Sequence, residues 1–247
     1  MESIVLVCGG GKKIVENYTP KSLKQLEPSP AAPVWLDLQR PSERLLRRIA
    51  VRFRFDPRSL KACLSLYRTP GCEDFGDYLF IETFLLEPSQ KSLFIRSDLK
   101  MFLSKEYLIT IRNRTTPLCR LFPNLGGSPF SRTAEILLRI FDESISALLK
   151  SLSPGYEGKS ITLRGDGRPN KDPLWWRLRN FRAALLGDFK IMHEMLFVGA
   201  WPFGPEDKVL FNSIKAKISV LCDMTIEILQ QDDSQGSVHD SKKEKVS

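Results

Sequence analysis

Over roughly the first half of the chain, apolar positions recur mostly at every second residue, the spacing of strands. Ile4 to Cys8 is a short β-branched run that predicts an edge strand, closing on a turn at Gly9-Gly10-Gly11-Lys12-Lys13. Residues 17 to 33, rich in Pro, Ser and Lys, predict a loop or a short helix. Val34 to Leu38 predicts a strand with Trp35 and Asp37 on one face and Leu36 and Leu38 on the other. Pro41-Ser42-Glu43 then opens a helix, with Ser42 as its N-cap. On that helix Leu45, Ile49 and Phe53 share a face, joined by Leu46 and Ala50. Asp56-Pro57 starts a second short helix through Leu60, Cys63 and Leu64. Four strands follow: Tyr78 to Leu86, Lys91 to Ile95, Leu99 to Leu103, and Tyr107 to Arg112. The Ser104-Lys105-Glu106 link is short enough for a hairpin.

A Pro/Gly/Ser-rich stretch at 122–131 marks a boundary, and beyond it the apolar period becomes helical. Leu137, Phe141, Ile145, Leu148 and Leu152 form one stripe. After a Gly/Pro-rich link at 153–173, Leu178, Phe181, Leu185, Phe189, Met192 and Leu196 form a second. A third runs Phe211, Ile214, Ile218, Leu221, Thr225, Ile228, in steps of 3, 4, 3, 4, 3. That is a heptad seam of the kind two helices share, so Phe211, Ile214, Ile218 and Leu221 are candidates for an oligomer seam. Between Asp232 and Ser247 only Val238 and Val246 are apolar, which predicts a disordered polar tail. The expected fold is α/β, a mixed sheet sandwiched by helices and followed by a long-helix, stalk-like part. The expected divisions are 1–130 for the sandwich, 131–231 for the helices and 232–247 for the tail.

Composition narrows the function classes. In 247 residues, 42% are hydrophobic and 27% charged, ordinary values for a globular chain. The longest uncharged apolar run, Met195 to Pro205, has eleven residues and two prolines, too short to span a bilayer. The N-terminus lacks the basic flank and apolar run of a secretory signal. Five widely spaced cysteines without a C-x-x-C pair argue against a disulfide scaffold and for reduced thiols in the cytoplasm. The 37 Lys+Arg against 29 Asp+Glu leave a net charge of +8. Much of it is concentrated in Arg40 to Arg68, with nine basic residues and two acidic ones. Arg44, Arg47, Arg48 and Arg52 lie near one another on the first helix, away from its apolar face. Such a face can bind phosphate or an acidic partner, and it can equally be a solvated helix face. Nucleic acid is not the expected partner, because no recognised motif or aromatic ladder accompanies the arginines.

Catalytic motifs are missing. Gly9-Gly10-Gly11-Lys12 lacks the spacing of a phosphate-binding loop and reads as a turn. His193 has no second histidine at metal spacing, and His239 falls in the polar tail. Trp175-Trp176 at a helix start reads as packing between helices, with a stacking platform as the lesser reading. No catalytic residue is assigned and the chain does not read as an enzyme.

From about Val34 to about Ile228 the chain resembles the cytoplasmic domain of the CorA-type magnesium/cobalt transporter family. Trp35-Leu36-Asp37-Leu38 with Pro41 is similar to the family's opening W-I-D-L…P. The helix through Ile49, Ala50 and Phe53, with Asp56-Pro57 and Leu60 after it, is similar to the next block. Arg68-Thr69-Pro70 with Glu73, Phe75 and Asp77-Tyr78-Leu79-Phe80-Ile81 resembles its R-P-K…Y-D-D-Y-L-F-I run. Leu103 to Ile111 resembles its L-G-K-N-F-L-I-T-V hairpin. The resemblance implies five such domains forming a funnel below a membrane pore, with divalent ions between neighbours holding it shut.

Departures from the pattern shape the expectation. The family's two transmembrane helices and its Gly-Met-Asn signature are absent from this sequence. Where the family supplies acidic metal ligands, Ser89 and Ser213 stand here, with Glu87 nearby. Hydroxyls are poor ligands for a hard divalent ion. The family's first helix is often acidic, and here it is basic. The resulting expectation is a soluble, non-conducting relative with a regulatory or assembly role, self-associating through the last helix. Two alternatives stand beside it. One is the Mg2+-sensing cytoplasmic domain of a full membrane transporter seen as a fragment. The other is a basic phosphate- or nucleic-acid-binding protein.

Overall fold

The computed structural model describes residues 3–8, 13–15, 23, 26–65, 70–89, 94–114, 116, 118–121, 130–152, 174–197 and 203–243. The Gly9–Lys12 turn, the 122–129 and 153–173 links, and the side chains of Trp175, Trp176 and His239 lie outside what is described.

Seven strands form one sheet in the order β2-β1-β3-β7-β6-β5-β4. They are β1 (Ser3–Cys8), β2 (Lys13–Val15), β3 (Val34–Gln39), β4 (Gly71–Asp74), β5 (Leu79–Pro88), β6 (Phe94–Leu103) and β7 (Tyr107–Arg112). Every pairing is antiparallel except β3 with β7, which is parallel at the centre, so the sheet is mixed. Both of these central strands are buried along their whole length. A parallel pair needs cover on both faces, and here each face has its own apolar layer. Leu36, Leu38, Phe80, Phe102 and Ile109 face α1 (Glu43–Phe53) and α2 (Pro57–Leu64). Trp35, Ile81, Leu85, Met101 and Leu108 face the later helices. The face assignment read from β3 therefore holds.

Those later helices are α4 (Thr133–Leu152), α5 (Leu174–Phe197) and α6 (Pro205–Lys243), preceded by the single turn α3 (Leu118–Leu121). Their buried residues form one continuous apolar cluster with the sheet. Residue 130 thus marks a change of element type and not a division between two cores. The helical backbone of α6 continues to Lys243. Once a packed segment has nucleated a helix, each further residue adds a hydrogen bond at little cost. Composition alone does not register that gain.

Other local readings change as well. Residues 91–93 of the strand expected at Lys91–Ile95 lie outside the described residues, while Ile95 and Leu99–Leu103 belong to one strand. The inward positions Ser97, Leu99 and Met101 keep one alternation running through the ten residues of β6. β4 has no apolar alternation to announce it and forms by pairing its backbone with β5. β1 pairs on both sides, so the sheet edge is β2.

A polar node is buried at the sheet centre. Asp37 accepts the Thr110 hydroxyl at 2.8 Å and the Leu118 backbone N–H at 2.7 Å. It also meets Gln39 Nε2 at 3.1 Å and Arg112 Nη2 at 3.4 Å. The Trp35 indole N–H donates to Thr110 Oγ1 at 3.1 Å, and Arg112 donates to the Thr116 carbonyl at 2.6 Å. The Asp37 and Arg112 side chains are each 1% exposed. Asp37, the second polar residue from the end of an otherwise apolar strand, therefore joins β3, β7 and the start of α3.

Candidate functional site

The basic helix is built as its sequence indicates. Ser42 Oγ accepts the Leu45 N–H at 3.3 Å, capping the N-terminus of α1. Arg54 ends the helix in the left-handed conformation at φ 55°, its N–H returning to the Ala50 carbonyl. Leu45, Leu46, Ile49 and Ala50 are buried against the sheet. The opposite face carries Arg44, Arg47, Arg48 and Arg52, all exposed, so the four predicted positions do share one surface.

Two features of that surface were not predicted. Val51 lies among the arginines and is 81% exposed. The Arg52 guanidinium reaches the backbone carbonyls of Leu23 and Leu26. Beside α1 is a hollow of about 750 Å³, lined by Leu23, Glu43, Val51 and the arginines. Arg47 pairs with Glu43 at 2.5 Å, both side chains about three-fifths exposed. The valine was legible as an apolar residue out of register; the Leu23 contact, made across 29 residues of sequence, was not.

The heptad seam has a different destination from the one expected. Phe211, Ile214, Ile218 and Leu221 are each 7% exposed or less, packed in the cluster that α4, α5 and the sheet share. The seam's observed partners are helices of its own chain, because those helices present the facing stripes Leu137–Leu152 and Leu178–Met192. Ile218→Ala is expected to lower stability by about 3 kcal/mol, read as a shifted urea midpoint, while light scattering reports an unchanged mass. A change of mass without loss of stability would return the seam to an intermolecular role.

On α5 the register slips by one residue. Leu178, Phe181 and Leu185 are buried, but the next buried position is Asp188 and not Phe189, which is only partly covered. Asp188 is 3% exposed and accepts the Thr83 hydroxyl and the Phe84 backbone N–H on β5. Burial pushes its carboxyl up to about 7, against the lowering pull of those two hydrogen bonds and of Arg96 on β6. An acidic residue three after Leu185 and four before Met192, inside an apolar stripe, was the available signal.

Ser89 is half-buried at the end of β5, and Ser213 is exposed near the start of α6. Among the described residues, no group of three or more His, Cys, Asp or Glu is placed to hold a metal ion. At the two positions where a regulatory magnesium is implied, the side chains are hydroxyls, poor donors for a hard divalent ion. Burial drives the thiols of Cys63 and Cys72 up to about 12. They sit as core atoms and not as nucleophiles.

Sheet order, two-sided helical cover and a long last helix together define an α/β domain with a mixed sheet between two helical layers. Residues 30–153, just over half of the chain, match the model of the CorA-like Mg2+ transporter protein family. The chain belongs to that family. Among solved structures it is similar to the soluble domain of CorA from Methanocaldococcus jannaschii: 14% identity, TM-score 0.60, 91% of each chain covered. It is also similar to the complete CorA magnesium transporter of that organism, at 16% identity and TM-score 0.69, covering 98% of this chain and 79% of that one. The cytoplasmic domain of ZntB from Vibrio parahaemolyticus matches at 10% identity and TM-score 0.65, over 96% and 98% of the two chains. At these identities the likeness is one of fold. No curated protein matches the sequence. Among the described residues, no helix is long and apolar enough to cross a membrane.

Proposed function

We propose that this chain acts in divalent-cation transport as a cytoplasmic regulatory or assembly domain, associating with copies of itself or with a transporter subunit. The observation that supports the reading is the fold: it matches the CorA soluble domain over 91% of both chains. The last-helix seam is spent inside the chain, so association uses other surfaces. With Ser89 and Ser213 at the implied ligand positions, association does not depend on magnesium there. Light scattering in EDTA and in excess magnesium tests this, with calorimetry alongside. The expected result is one multimeric mass in both conditions. A monomer in both sinks self-association and leaves only association with a transporter subunit. A monomer that assembles and releases heat when magnesium is added would instead favour a magnesium-sensing domain.

A further inference from the structure

On the outer face of α1 a stripe of like charge surrounds exposed apolar surface and a hollow, and we infer that this face docks an acidic, amphipathic helical segment of a partner protein. The inference stands apart from the transport reading. Arg44, Arg47, Arg48 and Arg52 span nine residues, about 12 Å of helix. Arg44 with Arg48, and Arg48 with Arg52, are like charges at i,i+4, an arrangement that opposes the helix they sit on. Glu43 is the one acidic residue lining the described part of the hollow. Val51, at 81% exposure, contributes nothing to the core. A face that costs the isolated helix in both respects gains from an occupant that supplies carboxylates and covers the valine.

The shape argues for polypeptide. Arg52 donates to the backbone carbonyls of Leu23 and Leu26, and Leu23 lines one side of the hollow of about 750 Å³ beside α1. Val51 provides exposed apolar surface, Leu23 lines the hollow while itself packed in the core, and the arginines surround Val51. A short helix with Glu or Asp on its flanks and Leu or Phe at its centre meets both: side chains enter the hollow while carboxylates reach the guanidinium groups. A bilayer is flat and does not enter a hollow. A nucleic-acid duplex would use the charges but gain nothing from Val51. A single phosphate ion would meet arginines spread over two helical turns, with the Glu43 carboxylate opposing it.

The test uses the full chain and a fluorescein-labelled acidic amphipathic peptide, with Glu on its flanks and Leu at i, i+4 spacing, read by anisotropy. The expected result is saturable binding that weakens about tenfold in R44A/R47A/R48A and loses its steep salt dependence. Val51→Ser should weaken it too, with the salt dependence retained, because it removes apolar contact alone. A scrambled peptide of the same composition should bind less tightly. All four substituted residues are exposed, and circular dichroism checks that each variant keeps its fold. No binding, equal binding of the scrambled peptide, or binding unchanged in the triple variant overturns the inference. So does tight binding to phosphatidylserine vesicles or to a short DNA duplex through the same arginines when the peptide fails to bind.

Discussion

Asp37→Ala is expected to destabilise the chain by about 3–5 kcal/mol, a large fraction of what a domain of this size possesses. The side chain is not large, so the lost volume is the smaller term. What dominates is the company it leaves behind. The Arg112 guanidinium is left in the sheet centre with its side chain 1% exposed, and its described hydrogen-bond acceptors fall to the Thr116 carbonyl. The Leu118 N–H and the Thr110 hydroxyl lose their acceptor at the same time. Each buried group stripped of its partner carries a desolvation penalty. A partner substitution separates these effects. In Asp37→Ala/Arg112→Met the unpaired charge is gone, so urea unfolding should recover more than half of the loss. Asp37→Asn keeps an acceptor for Thr110 and should fall between the wild type and the alanine variant. A loss below about 1 kcal/mol in Asp37→Ala would mean that the guanidinium reaches water, and the account of the node would fail.

The second large effect concerns pH. Asp188 titrates near 7 when folded, against 3.8 for an ordinary carboxyl, chiefly because burial disfavours its charge. Between those values the folded chain binds more protons at this site than the unfolded chain. Stability contributed here is therefore full below pH 4 and falls as pH rises through 7, by up to about 4 kcal/mol for a shift of this size. The groups that face it are the Thr83 hydroxyl and Phe84 N–H on β5 and the charge of Arg96 on β6, all of which favour the carboxylate. They reduce the fall without reversing it. Asp188→Asn cannot ionise, so its stability should stay flat where the wild type declines. The variant should be the more stable protein at pH 8 and match the wild type only near pH 4 and below. Thermal melts across that range would check this, and parallel pH profiles for the two proteins would remove the assignment.

The two carboxylates also show what a linear pattern exposes. Asp37 was placed on the correct face because strand alternation has a period of two and admits no ambiguity over five residues. Its partners were invisible, since Thr110 and Arg112 lie on β7, 73 and 75 positions away. Asp188 was overlooked because Phe189 beside it fits the apolar template better. A helix presents adjacent positions 100° apart, so two neighbours can both border a stripe, and packing on β5 chose the less hydrophobic one. In the basic face the four arginines were legible from spacing alone. The hollow was not, because Leu23 lines one side of it, and its carbonyl meets Arg52 across 29 residues of sequence.

From the order of residues alone came the α/β class, the helix cap at Ser42, the helix start at Asp56-Pro57, the two faces of β3, the basic side of α1 and the family resemblance. All of these rest on interactions within a few residues or on periodicities that the backbone imposes everywhere. Folding in three dimensions settled which apolar stripes meet, that the heptad seam of α6 is consumed by α4 and α5, and which carboxylates end up without water. Those outcomes depend on area removed from solvent and on partners brought together from distant parts of the chain, and neither quantity is a property of a local stretch of sequence.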